Sequence, residues 1–265
     1  MYATNYHRAG SVEEAAGLLA GNDEAKLLAG GQTLIPTMKQ RLAAPSDIVD
    51  ISRIDALRGI EKQGDAYVIG AGTRHAEVAG NAGLKADIPG LAALASKIGD
   101  PHVRHRGTIG GSISNNDPAA DYPAGMMALG ATIVTSKREI AADDFFTGLF
   151  ETALDEDEIV TAVKVPIPAK SSYAKFPNPA SRYAMAGVFV AQFADGSVRV
   201  AATGAGADGV FRIAEMESAL ASNWSPDAVA GISVDPSGLL GDIHGSAEYR
   251  ANLVTVMAKR AVAAA

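Results

Sequence analysis

Residues 107–121 read GTIGGSISNNDPAAD. The β-branched pair Thr108-Ile109 runs into Gly110-Gly111, followed by a hydroxyl at Ser112 and two amides at Asn115 and Asn116. Two carboxylates, Asp117 and Asp121, then bracket Pro118 and two alanines. A chain that bends at glycines exposes bare N–H groups and lets an anion approach the backbone closely. Hydroxyls and amides add donors, and a carboxylate can hold a ribose hydroxyl. This inventory suits a nucleotide better than a core strand. A polar surface loop made of turn residues has the same composition, and one glycine-rich loop is a weak signal.

Residues 26–36, KLLAGGQTLIP, strengthen it. The apolar run Leu27-Leu28-Ala29 ends in Gly30-Gly31, then Gln32-Thr33, then Leu34-Ile35. The pattern predicts a buried strand, a tight glycine turn and a helix start, a junction that points N–H groups at whatever lies beyond the strand end. It is not the dinucleotide fingerprint G-x-G-x-x-G, because the glycines are adjacent and the third is missing. Two such turns predict two loops gripping one elongated phosphate ligand.

AGGQTLIP at 29–36, with KQRLAAPSDIVDI at 39–51, resembles the flavin-binding medium subunit of the molybdenum hydroxylases. These are the xanthine dehydrogenase, aldehyde oxidase and carbon monoxide dehydrogenase relatives. DPHVRHRGTIGGSISNNDPAADYPA at 100–124 resembles the second flavin motif of that family, and SYAKFPNPASRYAMAGVFVA at 172–191 is a third match. The resemblance runs over most of the chain and is closest in pattern to the carbon monoxide dehydrogenase group.

The resemblance implies an α+β fold: a two-part FAD-binding domain of the vanillyl-alcohol-oxidase/PCMH type, followed by a smaller domain with an antiparallel sheet and helices. Leu28, Ala29, Gly30, Gly31, Gln32, Thr33 and Leu34 would wrap the FAD pyrophosphate with backbone N–H groups and the Thr33 hydroxyl. Thr108, Ile109, Gly110, Gly111 and Ser112 would also contact the phosphates, with Ile109 near the isoalloxazine or its linker. Asp121 matches the acid that holds a sugar hydroxyl, and Asp117 reads as the former of an Asp-Pro turn. Val160 matches a backbone contact near the flavin ring and Lys175 a polar contact to it. Each of those two also has an ordinary explanation, a strand core residue and a surface lysine. The family's later acid is replaced here by Ala186 or Gly187, which leaves Arg182 and Tyr183 either over the flavin or within a plain strand.

The implied role is electron transfer inside a larger complex. Substrate would be oxidised on a large molybdenum-cofactor subunit, electrons would come from 2Fe-2S clusters on a small iron–sulfur subunit, and relatives imply a dimer of heterotrimers. Two other readings compete: a stand-alone flavin oxidoreductase, and a non-catalytic FAD- or nucleotide-binding assembly protein.

Composition narrows the choice. The chain has 265 residues, 48% hydrophobic and 20% charged, enough for a sizeable core. A net charge of −7 argues against a nucleic-acid or anionic-membrane surface. No apolar run approaches the roughly 18 residues of a bilayer span, and the N-terminus shows no secretory h-region, so a cytoplasmic location is expected. With no cysteine, this chain offers no disulfide, thiol nucleophile or thiolate-bound cluster. Any further redox centres would lie on other polypeptides.

In chain order, Ser11 and Glu14 predict a capping box for a helix over SVEEAAGLLAG, and DIVDI at 47–51 a second strand, completing a parallel β-α-β-α-β unit over 1–55. A second α/β unit spans 56–168: a hairpin turning at Gly64-Asp65, helices at TRHAEVAGNA and PGLAALASKIG, the 107–121 loop, a hairpin across 131–146 and a strand at 158–168. From 169 to 265 antiparallel strands turn at Asp195-Gly196, and three helices follow, the last fraying in an alanine tail. His102 and His105 suggest a metal pair only weakly: no acid stands at a useful offset and Arg104 and Arg106 would repel a cation. The cluster fits phosphate steering or partner contact better. No G-x-S-x-G elbow is present, and Trp224 reads as packing.

Overall fold

The computed structural model describes residues 1–265. Strands β1 (Asn5–Arg8), β2 (Lys26–Leu28) and β3 (Asp47–Asp50) form a parallel sheet in the order β1-β3-β2, with helices α1 (Val12–Ala20) and α2 (Leu34–Lys39) as crossovers. This is the parallel unit the apolar runs predict. Ser11 caps α1 by accepting from Glu14 N at 3.2 Å, while the Glu14 carboxylate accepts from Gly10 N at 2.7 Å, one residue before the cap. Ala15, Leu19, Val49, Ile51, Ile54 and Leu57 form the core of this unit, with Ile159 added from far along the chain.

The next sheet runs β4-β5-β10-β6-β7, from β4 (Ile60–Gln63), β5 (Ala66–Gly70), β6 (Thr132–Thr135), β7 (Glu139–Ala141) and β10 (Val160–Pro166). Every neighbour in it is antiparallel, whereas the alternation of strands and helices suggests an α/β unit. The reason is topological: β10 returns between the two hairpins rather than following a crossover helix. Between β5 and β6 run α3 (His75–Gly80), α4 (Ala82–Asp87), α5 (Pro89–Ser96), α6 (Pro101–Arg104), α7 (Ile109–Asn115) and α8 (Tyr122–Ala128). After β7 the chain turns helical in α9 (Ala142–Phe145) instead of extending the hairpin, then makes a small hairpin of β8 (Phe146–Gly148) and β9 (Glu151–Thr152).

The last sheet is antiparallel, β11-β12-β13-β14: β11 (Lys170–Pro177), β12 (Ala184–Gln192), β13 (Val198–Thr203) and β14 (Phe211–Arg212). Asp195-Gly196 turns β12 into β13 as expected, with Gly196 at φ +86°. Helices α10 (Ala214–Ser222), α11 (Pro226–Ala230) and α12 (Ala247–Ala263) cover one face. At the C-terminus α12 runs to Ala263 with Ala261 and Val262 buried, while Ala264 and Ala265 lie beyond the helix and are exposed. On the sheet's other face lies α8, all seven of whose residues are buried, so Phe189, Ala191 and Ala201 share one core with α5, α7 and β10. No helix is long and apolar enough to cross a membrane.

Candidate functional site

The C-terminal end of β2, the turn after it and the start of α7 converge on a cavity of about 1150 Å³. That exceeds the roughly 300–1,000 Å³ of most small-ligand sites and suits an elongated dinucleotide. Ligands in sheets of this kind bind beyond the carboxyl ends of parallel strands, which is where this cavity opens.

The first glycine turn joins the end of β2 to the start of α2, the strand–turn–helix order the sequence predicts. Leu28, Ala29, Gly30, Gly31, Gln32, Thr33 and Leu34 all line the cavity. Five consecutive N–H groups, Ala29 to Thr33, donate to no protein acceptor. Gly31 sits at φ +70°, which a side chain would strain. Gly30 is fixed by contact, since a Cβ there would lie 2.3 Å from Arg106 O and 2.7 Å from Gly107 Cα. The two glycine motifs are thus pressed together.

The second motif differs from its expectation. It is not a loop but the first turns of α7, capped by Thr108, whose Oγ1 accepts from Gly111 N at 3.1 Å. Ile109 N donates to Thr73 O at 3.0 Å and Gly110 N to Ala71 O at 2.8 Å. These donors are spent on docking the helix against the end of β5. The Ile109 side chain, expected near the isoalloxazine or its linker, is fully buried in the central core, and the residue does not line the cavity. Thr108, Gly110, Gly111 and Ser112 do line it, with Ser114 and Asn115 from the next turn. The Ser112 hydroxyl faces no protein partner, and a Cβ on Gly111 would meet only Thr108 Oγ1 at 3.0 Å and Ala29 Cβ at 3.9 Å.

Asp121, Val160 and Lys175 reach the same cavity. Val160 opens β10, where the pairing with β6 shifts register between Val160 and Ala162. Lys175 is no surface lysine: its side chain is 3% exposed and its Nζ donates to Asp121 Oδ2 at 2.9 Å. Burial pushes the Asp121 carboxyl up, and the Lys175 charge opposes that shift. Asp117 does form the turn, its Oδ1 accepting from Ala119 N at 2.9 Å, yet it also lines the cavity, and burial pushes its carboxyl up.

Of the basic cluster, only Arg106 lines the cavity. Arg104 turns back to Ile98 O at 2.9 Å, and His102 points into solvent. No group of His, Cys, Asp and Glu side chains is placed to hold a metal. Eight arginines and lysines line the cavity against four aspartates, although the chain as a whole carries −7. Such a concentration of positive charge favours a polyanion.

Sequence reasoning missed two contributors. His75, at the start of α3, lines the cavity while 4% exposed, its Nδ1 unpartnered and its ring 5.3 Å from that of Tyr122. Burial, with the nearby Arg104 charge, lowers its pKa from 6.5 to about 4, so it is neutral. Phe150 stands at the rim at φ +56°, on the β8–β9 turn that Asn116 Nδ2 grips through Gly148 O and Glu151 O, both at 2.8 Å. Opposite in sequence origin but on the same rim is Tyr183, half exposed, on the β11–β12 turn beside left-handed Arg182. Neither Phe150 nor Asn116 carries a sequence signal for this role.

An α+β chain with a glycine-lined, positively charged cavity of dinucleotide size falls in the class of FAD-binding proteins. Residues 2–168 match the family model described as "FAD binding domain in molybdopterin dehydrogenase". The carbon monoxide dehydrogenase medium chain of Hydrogenophaga pseudoflava is 37% identical over 279 residues, covering 98% of this chain and 96% of that one. The nicotine 6-hydroxylase medium subunit of Paenarthrobacter nicotinovorans is 34% identical over 273 residues, with 98% and 96% covered. A solved structure of the Hydrogenophaga pseudoflava carbon monoxide dehydrogenase superposes with a TM-score of 0.88 at 35% identity, covering 100% of this chain and 97% of that one. The chain belongs to the FAD-binding medium subunits of the molybdenum hydroxylase family.

Proposed function

We propose that the chain is the FAD-bearing electron-transfer subunit of a molybdenum hydroxylase complex, receiving electrons from 2Fe-2S clusters on a small partner and delivering them to an external acceptor. Substrate oxidation falls to a large partner that holds the molybdenum cofactor. The observation that carries the reading is the run of five unpaired N–H groups, Ala29 to Thr33, facing a positively charged cavity. Relatives named as medium chains or subunits of dehydrogenase and hydroxylase assemblies support the division of labour.

Bound FAD supplies reversible one- and two-electron chemistry. The chain's own groups supply position. Ala29 to Thr33 hold the pyrophosphate by backbone N–H groups, and the Thr33 and Ser112 hydroxyls add two donors. Asp121 and Lys175 face the flavin half, and Tyr183 and Phe150 offer aromatic faces at its rim. Residues 1–55 and 56–168 are the two halves of the FAD-binding part, and 169–265 closes the flavin end.

Purified chain should show the absorption bands of oxidised flavin and release FAD on heating. Adding reduced small and large partner subunits should bleach those bands. Flavin that stays oxidised while its partners are turning over substrate would overturn the electron-transfer role.

A further inference from the structure

Asp121 and Lys175 are held by groups behind the cavity wall. The Tyr173 hydroxyl donates to Asp121 Oδ1, and Lys175 Nζ donates to Asp121 Oδ2 at 2.9 Å and to Lys97 O at 3.2 Å. Lys97 Nζ in turn donates to Tyr173 O at 2.8 Å and lies 5.6 Å from the centre of its ring. Tyr173 belongs to the central core and does not line the cavity. Its hydroxyl has room only because the facing strand carries glycine: a Cβ on Gly187 would sit 2.2 Å from it.

We propose that Tyr173 is a positioning residue for the flavin site: its hydroxyl fixes the Asp121 carboxylate, which in turn aims Lys175 at the flavin. An ammonium has three N–H groups, and two are spent on Asp121 and Lys97, leaving one for a ligand. This role rests on the FAD reading above.

The charge balance around Asp121 shows what the hydroxyl does. From β11 come Tyr173 and Lys175, from the end of α5 Lys97, from α8 Tyr122, and from the neighbouring turns Asp117 and Tyr183. Burial favours the neutral acid, while Lys175, the Tyr173 hydroxyl and Lys97 favour the carboxylate. With the hydroxyl gone, Asp121 takes a proton at higher pH, and Lys175 loses its counter-charge and its aim.

The test uses the full-length chain, its Tyr173→Phe variant and its Gly187→Ala variant, which keeps the hydroxyl but displaces it. Asp121 is titrated by carboxyl ¹³C shift in FAD-free protein, assigned against Asp121→Asn, and FAD affinity is measured at two pH values, one below and one above the midpoint that the variant titration shows. In both variants Asp121 should titrate at higher pH than in the parent. FAD affinity should fall about tenfold at the lower pH, the scale of one charge-assisted hydrogen bond, and far less at the higher. An unmoved Asp121 titration, or affinities that track the parent at both pH values, overturns the positioning role while leaving the FAD reading intact. A parent chain that takes up no FAD overturns the FAD reading, and this role falls with it. If Tyr173→Phe does not fold, Gly187→Ala decides by the same two readouts.

Discussion

Gly30 lies against the carbonyl of Arg106 so closely that a methyl group on it would be 2.3 Å from that oxygen. Two glycine motifs from distant parts of the chain therefore meet backbone to backbone. Neither side has a flexible side chain that can yield, so Gly30→Ala must part them. Overpacking of this kind costs about 1–3 kcal/mol. Urea denaturation should show that loss, and FAD uptake should fail with it. A variant of parental stability that still binds FAD would show that the contact is loose.

Gly111 contrasts with it. A side chain there meets Thr108 Oγ1 and otherwise projects into the cavity. Gly111→Val should leave the fold within about 1 kcal/mol of the parent. FAD affinity, read by flavin fluorescence, should nonetheless drop more than tenfold because the added methyls occupy ligand space. Unchanged affinity would place the cofactor elsewhere in the cavity.

His75 makes the fold acid-sensitive. Its pKa in the native state is about 4 against an ordinary 6.5, through burial and the nearby Arg104 charge. Below pH 6.5 the unfolded chain takes the proton and the folded chain does not. Stability is therefore full above that value and declines as pH falls towards 4, by on the order of 3 kcal/mol. His75→Gln should flatten that part of a stability-against-pH curve measured by urea unfolding. An unchanged slope would mean the imidazole is solvated.

Glu158 acts in a lower window. Hydrogen bonds from Arg138 at 3.0 Å and from Thr135 at 2.6 Å hold its carboxyl at about 2, down from 4.5, against the opposing effect of burial. Its contribution is complete above 4.5 and lost as pH falls towards 2. Solvent reaching the half-exposed Arg138 screens the pair, so about 2 kcal/mol is at stake. Glu158→Gln should lower stability at neutral pH and remove that last step of acid unfolding, followed by far-UV circular dichroism.

Local patterns carried much of this architecture. The apolar runs ending in glycine place the parallel strands, Ser11 places the start of α1, and Asp195-Gly196 places a hairpin. The site was legible to the extent that its chemistry is local: Gly30 to Thr33 keep free N–H groups because the turn itself makes them free. What stayed hidden depends on packing between distant segments. The stretch IGGSISN has two glycines and poor helix propensity, yet it is helical because Thr108 caps it and Ala71 and Thr73 accept from its first N–H groups. That docking consumes the donors the motif advertises and turns Ile109 inward. Burial of His75 and Lys175, and the Tyr173 hydroxyl that reaches Asp121, depend likewise on strands and helices whose proximity no short stretch records.

The cavity's walls run in sequence from Arg8 to Tyr183, and the central core behind them reaches Ala201 in β13. During synthesis the N-terminal parallel sheet and its glycine turn emerge first, but the floor under Asp121 does not exist until β11 to β13 have left the ribosome. Cofactor capture is thus a late event in the life of the chain, and a truncated product ending before that sheet makes the glycine turn without a complete cavity.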